Sequence, residues 1–192
     1  FTGIIMDESP SGCWTTHHSI TEYNGQWYLF YHHNDYSPNF DKNRSARIDS
    51  LFFNTDGTIK KVKPTLRGVG ITDARSKIQI DRYSTISPYG VTIDYLEPSN
   101  TFEGWQTLFN RAGTWVTYNK VDFGTTPVKR LKARVRSEKG GAITLRTPGE
   151  KGMTIAELPI KPTGKWTEIS TNVSNAPTSM QDLIITQTGE NP

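Results

Sequence analysis

The chain has 192 residues, 34% hydrophobic and 11% aromatic, which is enough bulk for one large domain or two small ones. Its 22 Lys and Arg against 19 Asp and Glu leave a formal charge of +3 with no basic run, so composition gives no argument for nucleic acid. Cys13 is the sole cysteine, which excludes an internal disulfide and a cysteine-built zinc site, and no stretch reaches the roughly 18 apolar residues of a membrane helix.

Phe1 opens directly on apolar sequence without an initiator Met or a signal peptide, which reads as a piece of a longer chain. Helical periodicity is almost absent. Short alternating runs punctuated by Gly, Asn, Asp and Pro predict an all-β fold. HSITEY and QWYLFYHH flank Asn24-Gly25, a strong hairpin signal, and SARIDSLFFN and TIKKVK flank Asp56-Gly57 in the same way. Two consecutive hairpins predict a four-stranded antiparallel meander, the unit of one β-propeller blade, which cannot bury both faces alone. Residues 68–77 open a stretch of different character and read as a connector. Beyond it, WVTYNKVDF, VKRLKARVRS, AITLRT, MTIAELPI, WTEISTNV and DLIITQT recur between glycines, the spacing of a β-sandwich or jelly roll. A sandwich of this kind wants one more strand after Pro192.

The segment from Thr15 to Pro38 holds all four histidines and poses the chemical question. Adjacent strand residues point to opposite faces, so only one of His17 and His18, and one of His32 and His33, can face a given site. No Ser-His-Asp arrangement stands out, and a strand histidine read from the residues alone is an ordinary surface or packing residue. Asp7 and Glu8 lie in the polar connection MDESPSG and read as a solvated loop pair. No catalytic carboxylate is assigned.

HHSITEYNGQWYLFYH followed by NRSARIDSLFFNTDGTIKKV resembles the last blade of glycoside hydrolase family 43, over about residues 3 to 66. The resemblance implies a five-bladed propeller acting on arabinose- and xylose-containing glycans. It implies a channel-facing histidine at His17 and a pocket arginine at Arg44, with Arg47 on the other side of the strand as the weaker choice. Inverting hydrolysis in that family needs an acid and a base roughly 6.5–9.5 Å apart, and the family takes them from blades that precede this one.

The second half, from IQIDRYS through KARVRSEKGGAITLRT and PTGKWTEI to DLIITQTG, is similar to carbohydrate-binding module family 6, a calcium-stabilised β-sandwich. The resemblance implies an aromatic clamp for a sugar ring made by Trp166 and Phe109. Their plain alternative is a strand-start aromatic and an apolar core residue. Gln79 and Asp81 stand at the calcium positions, with one full charge between them, so a structural calcium would bind weakly. Trp105, Trp115 and Tyr118 read as core or edge residues.

These readings set the expectations. The fold is a partial five-bladed β-propeller, one blade visible (residues 1–67), then the connector, then a sandwich over 78–192. The function implied by the resemblance is the C-terminal portion of an α-L-arabinofuranosidase or β-xylosidase with an accessory sugar-binding sandwich. The chain by itself is expected to be inactive. Its partners would be arabinose- or xylose-containing polysaccharide and the preceding blades, in a secreted or periplasmic setting. The alternatives are a non-catalytic carbohydrate-binding protein, or a sandwich that only buttresses the propeller.

Overall fold

A computed structural model describes residues 3–7, 17–34 and 44–189; Glu8 and Cys13 fall outside the described residues. The chain divides into two compact units, Phe1–Val69 and Gly70–Pro192. Among the described residues strands make up nearly all of the regular structure, joined by one short 3-10 turn at Thr101–Glu103. Among the described residues no helix is long and apolar enough to cross a membrane.

In the first unit, β1 (Ser19–Tyr23), β2 (Gln26–His33), β3 (Ser45–Phe53) and β4 (Ile59–Lys60) pair in chain order as one antiparallel sheet, the meander expected from the two hairpin signals. Asn24 and Gly25 both take positive φ, 50° and 77°, as a two-residue turn matched to the strand twist requires. The second hairpin is built differently from the first. Its loop is longer: Asn54 pairs with Thr58, the Gly57 N–H donates to the Asn54 carbonyl at 3.0 Å, and Gly57 has φ 82°. This is a type I turn closed by a left-handed glycine, with Asp56 accepting from both the N–H and the hydroxyl of Thr58.

Alternation in β2 and β3 buries Leu29, Tyr31 and His33 against Arg47, Asp49 and Leu51 on one face. Leu29, Leu51 and Val62 form the apolar part of that face with Ile5, Met6, Ile20 and Ile59 around it. Full burial of each large aliphatic side chain contributes about 1.5–3 kcal/mol. The N-terminal segment is tied in by a parallel bridge from Met6 to Val62. Phe30 and Phe52 on the opposite face stay 44% and 55% exposed, so this sheet is apolar on both sides.

The second unit is a sandwich. One sheet runs β12 (Thr154–Ile160), β11 (Gly141–Arg146), β14 (Met180–Thr188), β9 (Trp115–Asp122), β5 (Thr72–Asp73), with β6 (Thr85–Ile86) also on β9. The remaining strands form two pairs, β7 (Val91–Tyr95) with β8 (Trp105–Phe109), and β10 (Arg130–Val135) with β13 (Thr167–Asn172). β12 packs against β10 and β13. Between the layers lie Val116, Tyr118, Val121, Phe123, Leu145, Ile155, Leu158 and Leu183, all buried.

Two features were not read from the sequence. The segment taken as a connector contributes β5, which pairs in parallel with β9, while Arg75 donates from Nη1 to the Phe123 carbonyl at 2.6 Å. The β7–β8 hairpin escaped because LEPSNTFEG, which joins the strands, contains no tight-turn dipeptide.

Candidate functional site

Strand alternation in β2 and β3 builds a buried polar centre in the first unit. The Tyr31 hydroxyl donates to Asp49 Oδ2 at 2.5 Å, while the Thr65 hydroxyl and N–H donate to the same carboxylate at 2.6 and 3.1 Å. Burial, then the hydrogen bond to Asp49 and its charge, push the Tyr31 phenol well above the ordinary phenol range. Beside this pair, Arg47 Nε donates to His33 Nε2 at 2.9 Å, and both side chains are buried. Accepting at Nε2 means that the His33 ring is neutral with its proton on Nδ1. The arginine buried here is therefore Arg47, while Arg44 is exposed.

His17 and His18 are both exposed, so burial does not separate them. The His17 N–H donates to His32 Nδ1 at 3.4 Å, and the two rings meet edge to face at 5.6 Å. His17 thereby continues the β1–β2 register opposite His32, on the face away from Leu29 and Tyr31. His32 pairs with Ala46, and alternation assigns Arg44 to that same face. His17 and Arg44 thus share one end of one face, and His33 with Arg47 share the other face. Asp7 forms an exposed ion pair with Lys61 at 2.6 Å.

In the sandwich, Phe109 ends β8 and Trp166 immediately precedes β13, each half-buried on a different two-stranded sheet. A series of contacts links their surroundings along one end of the unit. Asn110 N–H donates to the Gly90 carbonyl and Gly113 N–H to the Gln187 carbonyl; Gln187 lies beside Gly141; Thr163 N–H donates to the Ser137 carbonyl. No ring contact joins Phe109 to Trp166. Instead the Arg134 guanidinium sits over the Trp166 indole, 5.5 Å from its centre, which places the ring on the outer face.

Sequence reasoning missed Arg134, although its place two residues before Arg136 in an alternating strand was a usable signal. It also missed Gln187, which is 5% exposed with neither side-chain amide atom hydrogen-bonded. Gln79 and Asp81 lie in a turn between β5 and β6. Asp81 is buried against the Arg82 guanidinium at 3.4 Å, whereas Gln79 is exposed and its carbonyl accepts from the Arg82 N–H. Among the described residues no group of three or more His, Cys, Asp or Glu is placed to hold a metal ion.

A family model described as carbohydrate binding module (family 6) matches residues 86–192. An arabinoxylan arabinofuranohydrolase from Paenibacillus polymyxa is 28% identical over 90% of this chain and 28% of its own length. A beta-xylosidase from Xylanibacter ruminicola is 45% identical over 65 residues, 33% of this chain and 19% of its own length. The chain thus spans less than a third of either relative. A family 6 carbohydrate-binding module from Clostridium cellulolyticum, solved in complex with xylose, is similar over 63% of this chain and 91% of its own. The TM-score of that match is 0.55 at 28% identity.

Proposed function

Because the chain belongs, through residues 86–192, to carbohydrate-binding module family 6, we propose that its sandwich holds a xylose- or arabinose-containing glycan and that the first unit of the same chain is a blade that serves a glycosidase. What carries this reading is the binding-module match over residues 86–192, preceded in the same chain by a four-stranded antiparallel meander whose HHSITEYNGQWYLFYH resembles the last blade of glycoside hydrolase family 43. The ligand of the Clostridium cellulolyticum module and the name of the Paenibacillus polymyxa relative both point to pentose polymers. In the sandwich, the half-buried Trp166 offers an indole surface against which sugar C–H bonds stack, with Phe109 at the same end. The parent activity in this reading is hydrolysis of arabinofuranosides or xylosides with inversion. The acid and base come from outside this chain.

Within the blade, His17 and Arg44 are proposed to line the sugar pocket of the assembled propeller. A neutral imidazole can hold a water or ion there, and a guanidinium offers fixed donors to sugar hydroxyls or a carboxylate. His17→Ala and Arg44→Ala in an enzyme with all its blades should lower kcat/KM with little change in stability, and His18→Ala should do much less. Equal losses at both histidines would remove the basis for choosing His17. A structural calcium near Asp81 and a secreted or periplasmic setting belong to the same proposal.

Titrating xylo- and arabino-oligosaccharides into the chain tests the sandwich, with tryptophan fluorescence as readout. Affinities in the millimolar to micromolar range, roughly −4 to −8 kcal/mol, are expected. Trp166→Ala should abolish the signal and the binding seen by calorimetry. Unchanged calorimetric affinity in that variant would move the sugar site elsewhere and favour a sandwich that only supports its neighbour.

A further inference from the structure

Every outward position along β10 is a cation. Burial alternates strictly in this strand, leaving Arg130, Lys132 and Arg134 exposed while Leu131, Ala133 and Val135 turn inward, and Arg136 continues the exposed series one step beyond. Alternate strand residues are about 6.8 Å apart, so the four side chains form a file about 20 Å long. Ordinary protein surfaces intersperse both signs of charge. On the partner strand β13 the outward positions opposite this file are Glu168, Ser170 and Asn172, which supply a single carboxylate.

That carboxylate pairs with Lys132 at 3.0 Å, but both side chains remain about two-thirds exposed, at 64% and 66%. Such a pair is weak and open to competition from an incoming carboxylate. Arg136 contacts Glu138 at 3.3 Å and remains 55% exposed. Arg134 is held over the Trp166 indole. The file therefore ends on an aromatic ring whose neighbouring guanidinium is already in place.

We propose that the outer face of β10 is a binding strip for polysaccharides whose sugars carry uronate carboxylates. A planar guanidinium takes a carboxylate through two parallel hydrogen bonds, and a pyranose ring beside it stacks its C–H face on Trp166. A single straight file of cations suits a linear chain with acidic groups along one side. This inference rests on the sugar-binding reading above only for the role of Trp166. The charge recognition belongs to residues outside that reading.

The test uses the whole 192-residue chain and two probes of equal length, an unsubstituted xylo-oligosaccharide and one bearing glucuronic acid. Calorimetric titration at low salt should show the acidic probe bound about tenfold more tightly, a preference that shrinks in about 1 M salt as screening shortens. Arg130→Gln with Lys132→Gln, away from Trp166, should lose the preference and keep the affinity for the neutral probe, and the fourfold variant that adds Arg134→Gln and Arg136→Gln should lose the preference as well. Circular dichroism melts show that each variant is folded, and the double variant carries the test if the fourfold one does not fold. Equal binding of the two probes by the parent overturns the proposal. So does a preference that survives in the folded double variant, or equally tight binding of a single-stranded oligonucleotide of the same charge. Tight uronate binding with no neutral binding at all would uphold the strip and sink the pentose reading of the loop end. Neutral binding without a uronate preference would do the reverse.

Discussion

Tyr31 holds its proton in the folded chain because its hydroxyl is buried against Asp49, which makes high pH a direct probe of the blade. The unfolded phenol titrates near its ordinary value of 10.0, while the folded one titrates higher. Above pH 10 the unfolded state therefore binds fewer protons, and stability falls as pH rises; below that value this contribution is fully present and level. Tyr31→Phe should destabilise the first unit near neutral pH by losing the hydrogen bond. Urea unfolding at about pH 8 and about pH 11 should show that gap narrowing or reversing at the higher pH. A gap that widens would mean that the phenol is not the group responsible. Gln187 carries the opposite lesson in the sandwich. Its amide is buried and neither polar atom is hydrogen-bonded, an arrangement that costs about 1–3 kcal/mol. Gln187→Met keeps the volume without the polar atoms and should raise the melting temperature of the sandwich; a lower one would show that the amide has found a partner such as an internal water.

β9 shows how an element corrects its own phase. Val116 and Tyr118 face inward by alternation, and an unbroken strand would then turn Lys120 into the core. Instead Asn119 and Lys120 together stand opposite Asp182 of β14, because the register shifts between Gln181 and Leu183. Lys120 takes φ 54°, a conformation that costs a non-glycine residue roughly 1–2 kcal/mol. Its N–H is fixed by Asp182 Oδ1 at 2.8 Å. The bulge returns Val121 and Phe123 to the core, both within 2% of full burial. Removing the acceptor by Asp182→Ala should lower unfolding free energy by about 0.5–1.5 kcal/mol, although the side chain is exposed and far from the apolar core. Chemical denaturation reads that loss directly, and no loss would mean that the bulge is held by its apolar flanks alone.

On the scale of the whole molecule, the two units carry different kinds of prediction. The glycosidase relatives are more than three times as long as their matches here, and no acid–base pair is assigned to these residues. A positioned acid or base typically contributes about 10²–10⁴-fold to rate, so the purified chain should give no measurable turnover of aryl arabinofuranosides or xylosides. Turnover would place catalytic groups inside this chain.

The local elements were legible because they depend on local physics. Asn24-Gly25 defines its own turn, alternation defines which face of β2 is apolar, and glycines mark the start of β11 and the turn before β13. The β-sandwich and blade motifs were legible for the same reason. Period-two patterning cannot say whether a polar residue on the inner face is an error or a partnered group. Arg47 and Asp49 became a buried network only because β3 lies beside β2 in a register that meets His33 and Tyr31. Nor does a strand in isolation reveal what crosses over it. That Trp166 lies under Arg134, and that Lys120 is turned aside by Asp182, depends on residues more than thirty positions away in the sequence. The chain's own pattern determined most of the strands and their apolar sides, β5 and the β7–β8 hairpin excepted. The pairing of β10 with β13, and of β9 with β14, decided which polar groups were buried, which were matched, and which line of charge was left facing outward.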